Sequence, residues 1–178
     1  MLKNSSEKYG TISKILHWSI AVLILTLIAL GWYMTSLDYY HPWRYRTLSL
    51  HKSIGVVVFI LFIIKILWMI NSPTPKISRD LKKWERIAAW IVHKFLFSII
   101  FILPVTGYII STSSGNSISF FGLFEIPPFI KADDNIRDFS EEIHEITAYT
   151  GLAIIILHIA AAFKHHFKDK DDTLKKML

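Results

Sequence analysis

The sequence predicts an all-α integral membrane protein, a bundle of four transmembrane helices, on three observations. Of its 178 residues, 52% are hydrophobic and 19% charged, against about 45–50% and about 25% in an average soluble domain. The mean hydropathy is +0.40. The apolar excess is gathered into four blocks, separated by stretches rich in Lys, Asp, Pro and Ser.

The blocks run over about 15–34, 53–70, 87–110 and 143–163. Each is near the ~20 residues that cross ~30 Å of hydrocarbon at 1.5 Å per residue. Their apolar residues go all the way round the helix, which excludes an amphipathic surface helix. The first block is too long for a cleaved signal peptide and carries His17 at its start. None of the helices could be buried alone, so residues 1–178 read as a single membrane domain. No internal repeat or low-complexity stretch is visible.

Basic residues set the expected orientation. Lys3, Lys8 and Lys14 precede the first span. Lys76, Arg79, Lys82, Lys83 and Arg86 lie between the second and third. Lys164, Lys168, Lys170, Lys175 and Lys176 follow the fourth. With four spans these segments share one side, and the positive-inside rule makes both termini cytoplasmic. The other side has Arg44 and Arg46 in one loop. Its second loop sets Lys131 and Arg137 against Glu125, Asp133, Asp134, Asp138, Glu141 and Glu142. Tyr39, Tyr40 and Trp43 on one side, and Trp68, Trp84 and Trp90 on the other, suit interfacial belts. The middle of the second outer loop, residues 118–130, is apolar but too short to span and contains Pro127 and Pro128. It is expected to cap the outer helix ends; the alternative is a surface loop with a few apolar contacts.

Composition excludes several chemistries. With no cysteine, disulfides, iron–sulfur clusters and thioether-attached haem are ruled out. The net charge of +6 sits mostly beside apolar helices, so it signals topology and not nucleic acid.

Histidine inside a span is costly and usually functional. His144 and His158 are fourteen residues apart on the fourth span. That is close to four turns, so they share a face about 21 Å apart in depth. This spacing suits two stacked metal cofactors, one per leaflet. His17 begins the first span on the cytoplasmic side and His51 begins the second on the outer side. Matching depths pairs His17 with His158 and His51 with His144, as bis-imidazole ligands of an inner and an outer haem b. Gly55, Ala148, Gly151, Ala161 and Ala162 fall where a flat porphyrin would approach; the alternative is ordinary small-residue helix packing. His93, at the cytoplasmic start of the third span, finds no free partner at its depth. It is a candidate to hydrogen-bond a quinone carbonyl or a haem propionate, or is an interfacial polar residue. Lys65 returns to the His51 face near the cytoplasmic side, to meet a propionate or quinone, or to snorkel to lipid phosphate. Pro104 and Gly107 allow a kink in the third span. His41, His165 and His166 read as surface residues.

The residues now resemble the bacterial cytochrome b561 family over nearly the whole chain. The resemblance rests on Lys14, His17 and Trp18; on His51, Gly55 and Lys65; and on Pro73-Thr74-Pro75. It continues through His93, Leu103-Pro104-Val105 and Gly107 to His144-Glu145, Gly151, Leu157-His158, His165-His166 and Asp172-Thr173-Leu174. Lys14 and Lys65 stand where many members carry Arg, which keeps the charge but loses the bidentate fork. The resemblance implies a four-helix bundle with two bis-histidine b haems in the bacterial inner membrane. It is also similar to the haem subunits of respiratory hydrogenases and formate dehydrogenases. Some free-standing members oxidise superoxide at the outer face and reduce ubiquinone. That implies an oxidoreductase passing electrons from superoxide to ubiquinone, with Lys52, Arg44 and Arg46 as candidates to draw the anion towards His51. The alternative is a haem b relay subunit serving a redox partner protein in a larger dehydrogenase complex.

Overall fold

The protein is described here by a computed structural model covering residues 1–73, 75 and 81–178; Lys76 and Arg79 of the orientation count, and Thr74, lie outside the described residues. Four helices dominate: α1 (Thr11–Ser36), α2 (Pro42–Ile70), α3 (Lys83–Thr112) and α4 (Asp134–Phe163). All four are long and apolar enough to span a membrane, and in no case is more than 17% of the apolar window buried within the protein. Side chains such as Val22, Ile64, Trp90 and Ile156 therefore face outwards, as lipid-facing residues do.

The helices extend beyond the apolar blocks because polar residues cap them. His41 is the N-cap of α2, its Nδ1 accepting from the Trp43 amide, and Pro42 supplies the first helical position, where no amide donor is needed. Asp133 accepts from the Ile136 amide to start α4. Glu85 accepts from the Lys82 amide at 2.9 Å to start α3. At the end of α1, Arg44 Nη1 donates to the carbonyls of Met34 (3.1 Å) and Leu37 (2.6 Å). Arg44 thus closes the α1–α2 turn.

A hairpin not foreseen from the sequence joins α3 to α4. Strands β1 (Ile118–Phe120) and β2 (Phe124–Ile126) pair antiparallel, with Phe120 opposite Phe124. Phe121 and Gly122 turn the chain at φ 50° and 72°, and the Leu123 amide closes on the Phe120 carbonyl at 2.9 Å. Two successive positive φ values are the signature of the turn that matches strand twist. Ser53 of α2, 1% exposed, pins the hairpin by donating to the Ser119 carbonyl and accepting from the Phe121 amide.

The topology is up-down-up-down. One end holds the hairpin; the other holds both termini, where Trp68 Nε1 at the end of α2 donates to Ser13 Oγ at the start of α1. Leu16, Ile20, Ile54, Val58, Phe62 and Ile99 are buried between the helices. Each helix packs on its sequence neighbour, while α4 meets α1 and α2 only sparsely. A bundle in lipid gains little from hydrophobic burial between helices, so packing and polar contacts hold it.

Such contacts gather at the terminal end. A π-helical turn, Lys164–Asp169, follows α4. Lys164 Nζ bridges Glu85 Oε1 (2.5 Å) and Asp169 Oδ2 (2.6 Å), tying α4 to the start of α3. His165 Nδ1 lies 2.9 Å from carboxylate oxygens of both Asp169 and Asp171. His165 is therefore a buried residue at 9% exposure, not the surface residue expected. The π turn rotates it inwards, which uniform α-helical spacing cannot anticipate.

Candidate functional site

Across the stand-off of α4 from α1 and α2, histidines face one another. At the terminal end His17 of α1 faces His158 of α4, ring centres 6.4 Å apart. At the hairpin end His51 of α2 faces His144 of α4, also at 6.4 Å. A metal–imidazole bond of about 2 Å puts two rings on opposite sides of one metal with centres roughly 6.3 Å apart. Both pairs match that separation. Among the described residues His17 makes no ring contact with His144, nor His51 with His158, as their depths require.

Close approach to the imidazoles is built from glycine. A Cβ at Gly107 of α3 would stand 3.3 Å from His144 Cε1, and one at Gly31 of α1 would stand 3.7 Å from His51 Cε1. These two glycines seat the hairpin-end imidazoles. Gly151 does something else: a Cβ there would meet Ile99 Cγ2 at 3.1 Å, so it serves α3–α4 packing. At Gly55 a Cβ would meet nothing within 4 Å, which leaves the α2 face open beyond His51.

The polar partners of the rings differ. His144 Nδ1 lies 3.0 Å from Thr106 Oγ1, and Thr106 is buried. His51 Nδ1 is buried and makes no well-aligned hydrogen bond, although the Leu27 carbonyl of α1 lies in reach. His93, expected to lack a partner at its depth, instead sets its ring edge-on to His158 with centres 5.2 Å apart. That is too close for the two to share a metal coaxially. Its Nδ1 lies 2.6 Å from the Ala89 carbonyl, so Nδ1 carries the hydrogen. Lys65 Nζ sits 5.4 Å from the centre of the Phe97 ring, on the terminal half of α2. The terminal end therefore gathers His17, His158, His93 and Lys65.

The cations expected to draw an anion towards His51 are less concentrated. Arg44 is engaged as above. Arg46 stacks on Trp43 at 5.3 Å and lines an open cavity of about 270 Å³ with Tyr45, Ser49, Leu50, Ser53 and Phe121. Ser49 and Ser53 are two residues either side of His51, so this cavity opens on the opposite face of α2. Arg137 is taken up by Asp134 and Asp138. Lys52 is half-buried beside His51 and is the remaining cation of that turn.

The profile of the prokaryotic cytochrome b561 family matches residues 8–178. Cytochrome b561 homolog 2 of Escherichia coli K12 is 38% identical over 175 residues, covering 98% of this chain and 93% of its own. Cytochrome b561 homolog 1 of the same organism is 29% identical, with 92% of each chain covered. A protein of Yersinia pestis named as a probable superoxide oxidase, CybB, is 28% identical, covering 97% of this chain and 96% of its own. With four membrane-spanning helices and facing histidines between them, the chain belongs to the prokaryotic cytochrome b561 family: a multi-pass bacterial membrane protein that transfers electrons by b-type haem.

Proposed function

We propose that the chain carries two b haems and passes electrons from superoxide, at the hairpin end, to ubiquinone in the membrane. His17 and His158 would hold one haem and His51 and His144 the other. The observation that carries this reading is the repeated 6.4 Å ring separation in a gap that α4 leaves open. When bound, haem supplies reversible one-electron chemistry at its iron. The chain's residues fix the imidazoles, keep the gap narrow with Gly31 and Gly107, and surround it with lipid-facing helices that exclude water. The hairpin, pinned through Ser53, covers the end nearer His51.

Two superoxide ions give up one electron each and leave as dioxygen; one ubiquinone takes both electrons and two protons. Lys65 is proposed to donate to a quinone carbonyl beside His158, and His93 to accept from the quinol hydroxyl formed there. The His93 hydrogen on Nδ1 is spent on Ala89, so Nε2 faces its surroundings as an acceptor, suited to a quinol hydroxyl. Lys52 and Arg46 are the cations proposed to attract superoxide; Arg44 contributes charge while holding the α1–α2 turn. The basic residues of the terminal end support a cytoplasmic position for both termini.

Stopped-flow mixing of the purified protein with superoxide tests this reading. Fast haem reduction is expected, slowing as ionic strength rises and slowing further in Lys52→Glu and Arg46→Glu. Reoxidation should follow on adding ubiquinone. Inertness towards superoxide, with rapid reduction by a partner dehydrogenase, would move the protein to the relay-subunit reading.

A further inference from the structure

We infer that Thr106 is a positioning residue for the hairpin-end cofactor: its hydroxyl oxygen fixes the tautomer and rotation of His144, leaving Nε2 free as the metal ligand. The inference rests on His51 and His144 forming a haem pair, and it follows from counting hydrogens.

Thr106 Oγ1 has a single hydrogen. It lies 2.9 Å from the Ile102 carbonyl and 3.1 Å from the Leu103 carbonyl, and carbonyl oxygens only accept. The hydroxyl hydrogen is therefore spent within α3, in the backbone-directed bond that threonine makes in helices. The same oxygen lies 3.0 Å from His144 Nδ1. With its hydrogen directed there, the oxygen accepts from a ring hydrogen on Nδ1. The Leu103 carbonyl, also in reach of His144, is another acceptor and demands the same tautomer. Nε2 is left with its lone pair, the form a metal requires.

Two features of α3 hold this arrangement. Thr106 is 8% exposed, so no water competes for its oxygen from an open surface. Gly107, next in sequence, admits the imidazole, since any Cβ there would crowd Cε1 at 3.3 Å. One residue supplies the acceptor and its neighbour the space. Among the described residues no hydroxyl meets His51 Nδ1, for which only the Leu27 carbonyl lies in reach. The two ligands of one site are thus held unequally, with His144 as the anchored one.

A hydrogen bond donated by a ligating imidazole raises its basicity, which favours ferric over ferrous iron. Redox titration of the purified holoprotein, followed by its optical spectrum, tests this. In Thr106→Val, nearly the same shape without the hydroxyl, the ferric preference of the hairpin-end haem should fall several-fold and its midpoint rise. A tenfold fall would be a rise of about 59 mV for one electron. The other haem should keep its midpoint, and Thr106→Ser should restore the first. Loss of the hairpin-end haem in Thr106→Val with its return in Thr106→Ser would also support the role. Unchanged midpoints in Thr106→Val, or a Ser variant as impaired as Val, would overturn it. A wild type with one haem would instead defeat the two-site reading beneath it.

Discussion

Two glycines on facing helices have opposite duties. Gly107 looks at an imidazole and Gly151 looks at Ile99. Substituting Gly107 by Val should push His144 off its seat and remove the hairpin-end haem signal, leaving the other haem in place. Gly151→Ala should instead overpack the α3–α4 contact, at a cost on the order of 1–3 kcal/mol, lowering the melting temperature with both haem spectra retained. Spectra and thermal melts of the two variants read this directly; a selective haem loss in Gly151→Ala would exchange the assigned roles. Small residues at helix spacing are visible in sequence, but which neighbour each one faces depends on helix rotation. That is why Gly55 and Gly151 attracted notice while Gly31 was missed and Gly107 was credited with a kink and with room near the outer half, without the imidazole that fills it. Thr106 escaped for a related reason: a threonine in a span ordinarily satisfies itself by bonding back to its own helix, and its second partner comes from α4.

At the scale of elements, the four spans were legible because length and hydropathy follow from bilayer thickness alone. The histidine depths followed from a fixed rise per residue, and the structure does bring His17 to His158 and His51 to His144. Local departures from regular geometry were not legible. The hairpin is only three residues per strand and depends on Ser53, sixty-six residues from Ser119 in sequence. The π turn carries His165 inwards among Asp169 and Asp171. The order of the elements also puts both termini at one end. Lys82, Lys83, Arg86 and the lysines from Lys164 onwards lie at the end that holds both termini, whereas the loop before α4 is rich in acid. Reporter fusions at Leu178 and near Asp133 should therefore report opposite sides, with Leu178 cytoplasmic. A periplasmic Leu178 would invert the side from which the donor is drawn while leaving the histidine pairs untouched.

For the whole molecule, α4 stands apart from α1 and α2 while packing along α3, and each imidazole pair bridges the space so left. The terminal end is braced by Lys164 with Glu85 and Asp169 and by Trp18 Nε1 donating to the Met177 carbonyl at 2.9 Å. The other end is braced by Arg44 and the Ser53 hydroxyl. Polar bonds at both ends hold the helices while α4 keeps its distance from α1 and α2 between them. In the proposed arrangement two haems sit at two depths, each between one fixed pair of histidines. Haem-to-protein stoichiometry and redox-resolved spectra of the four single His→Ala variants test it most directly. Wild type should hold two low-spin haems per chain. His17→Ala and His158→Ala should lose the same one, and His51→Ala and His144→Ala the other. One haem in the wild type, or the same selective loss in His17→Ala and His144→Ala, would contradict the account.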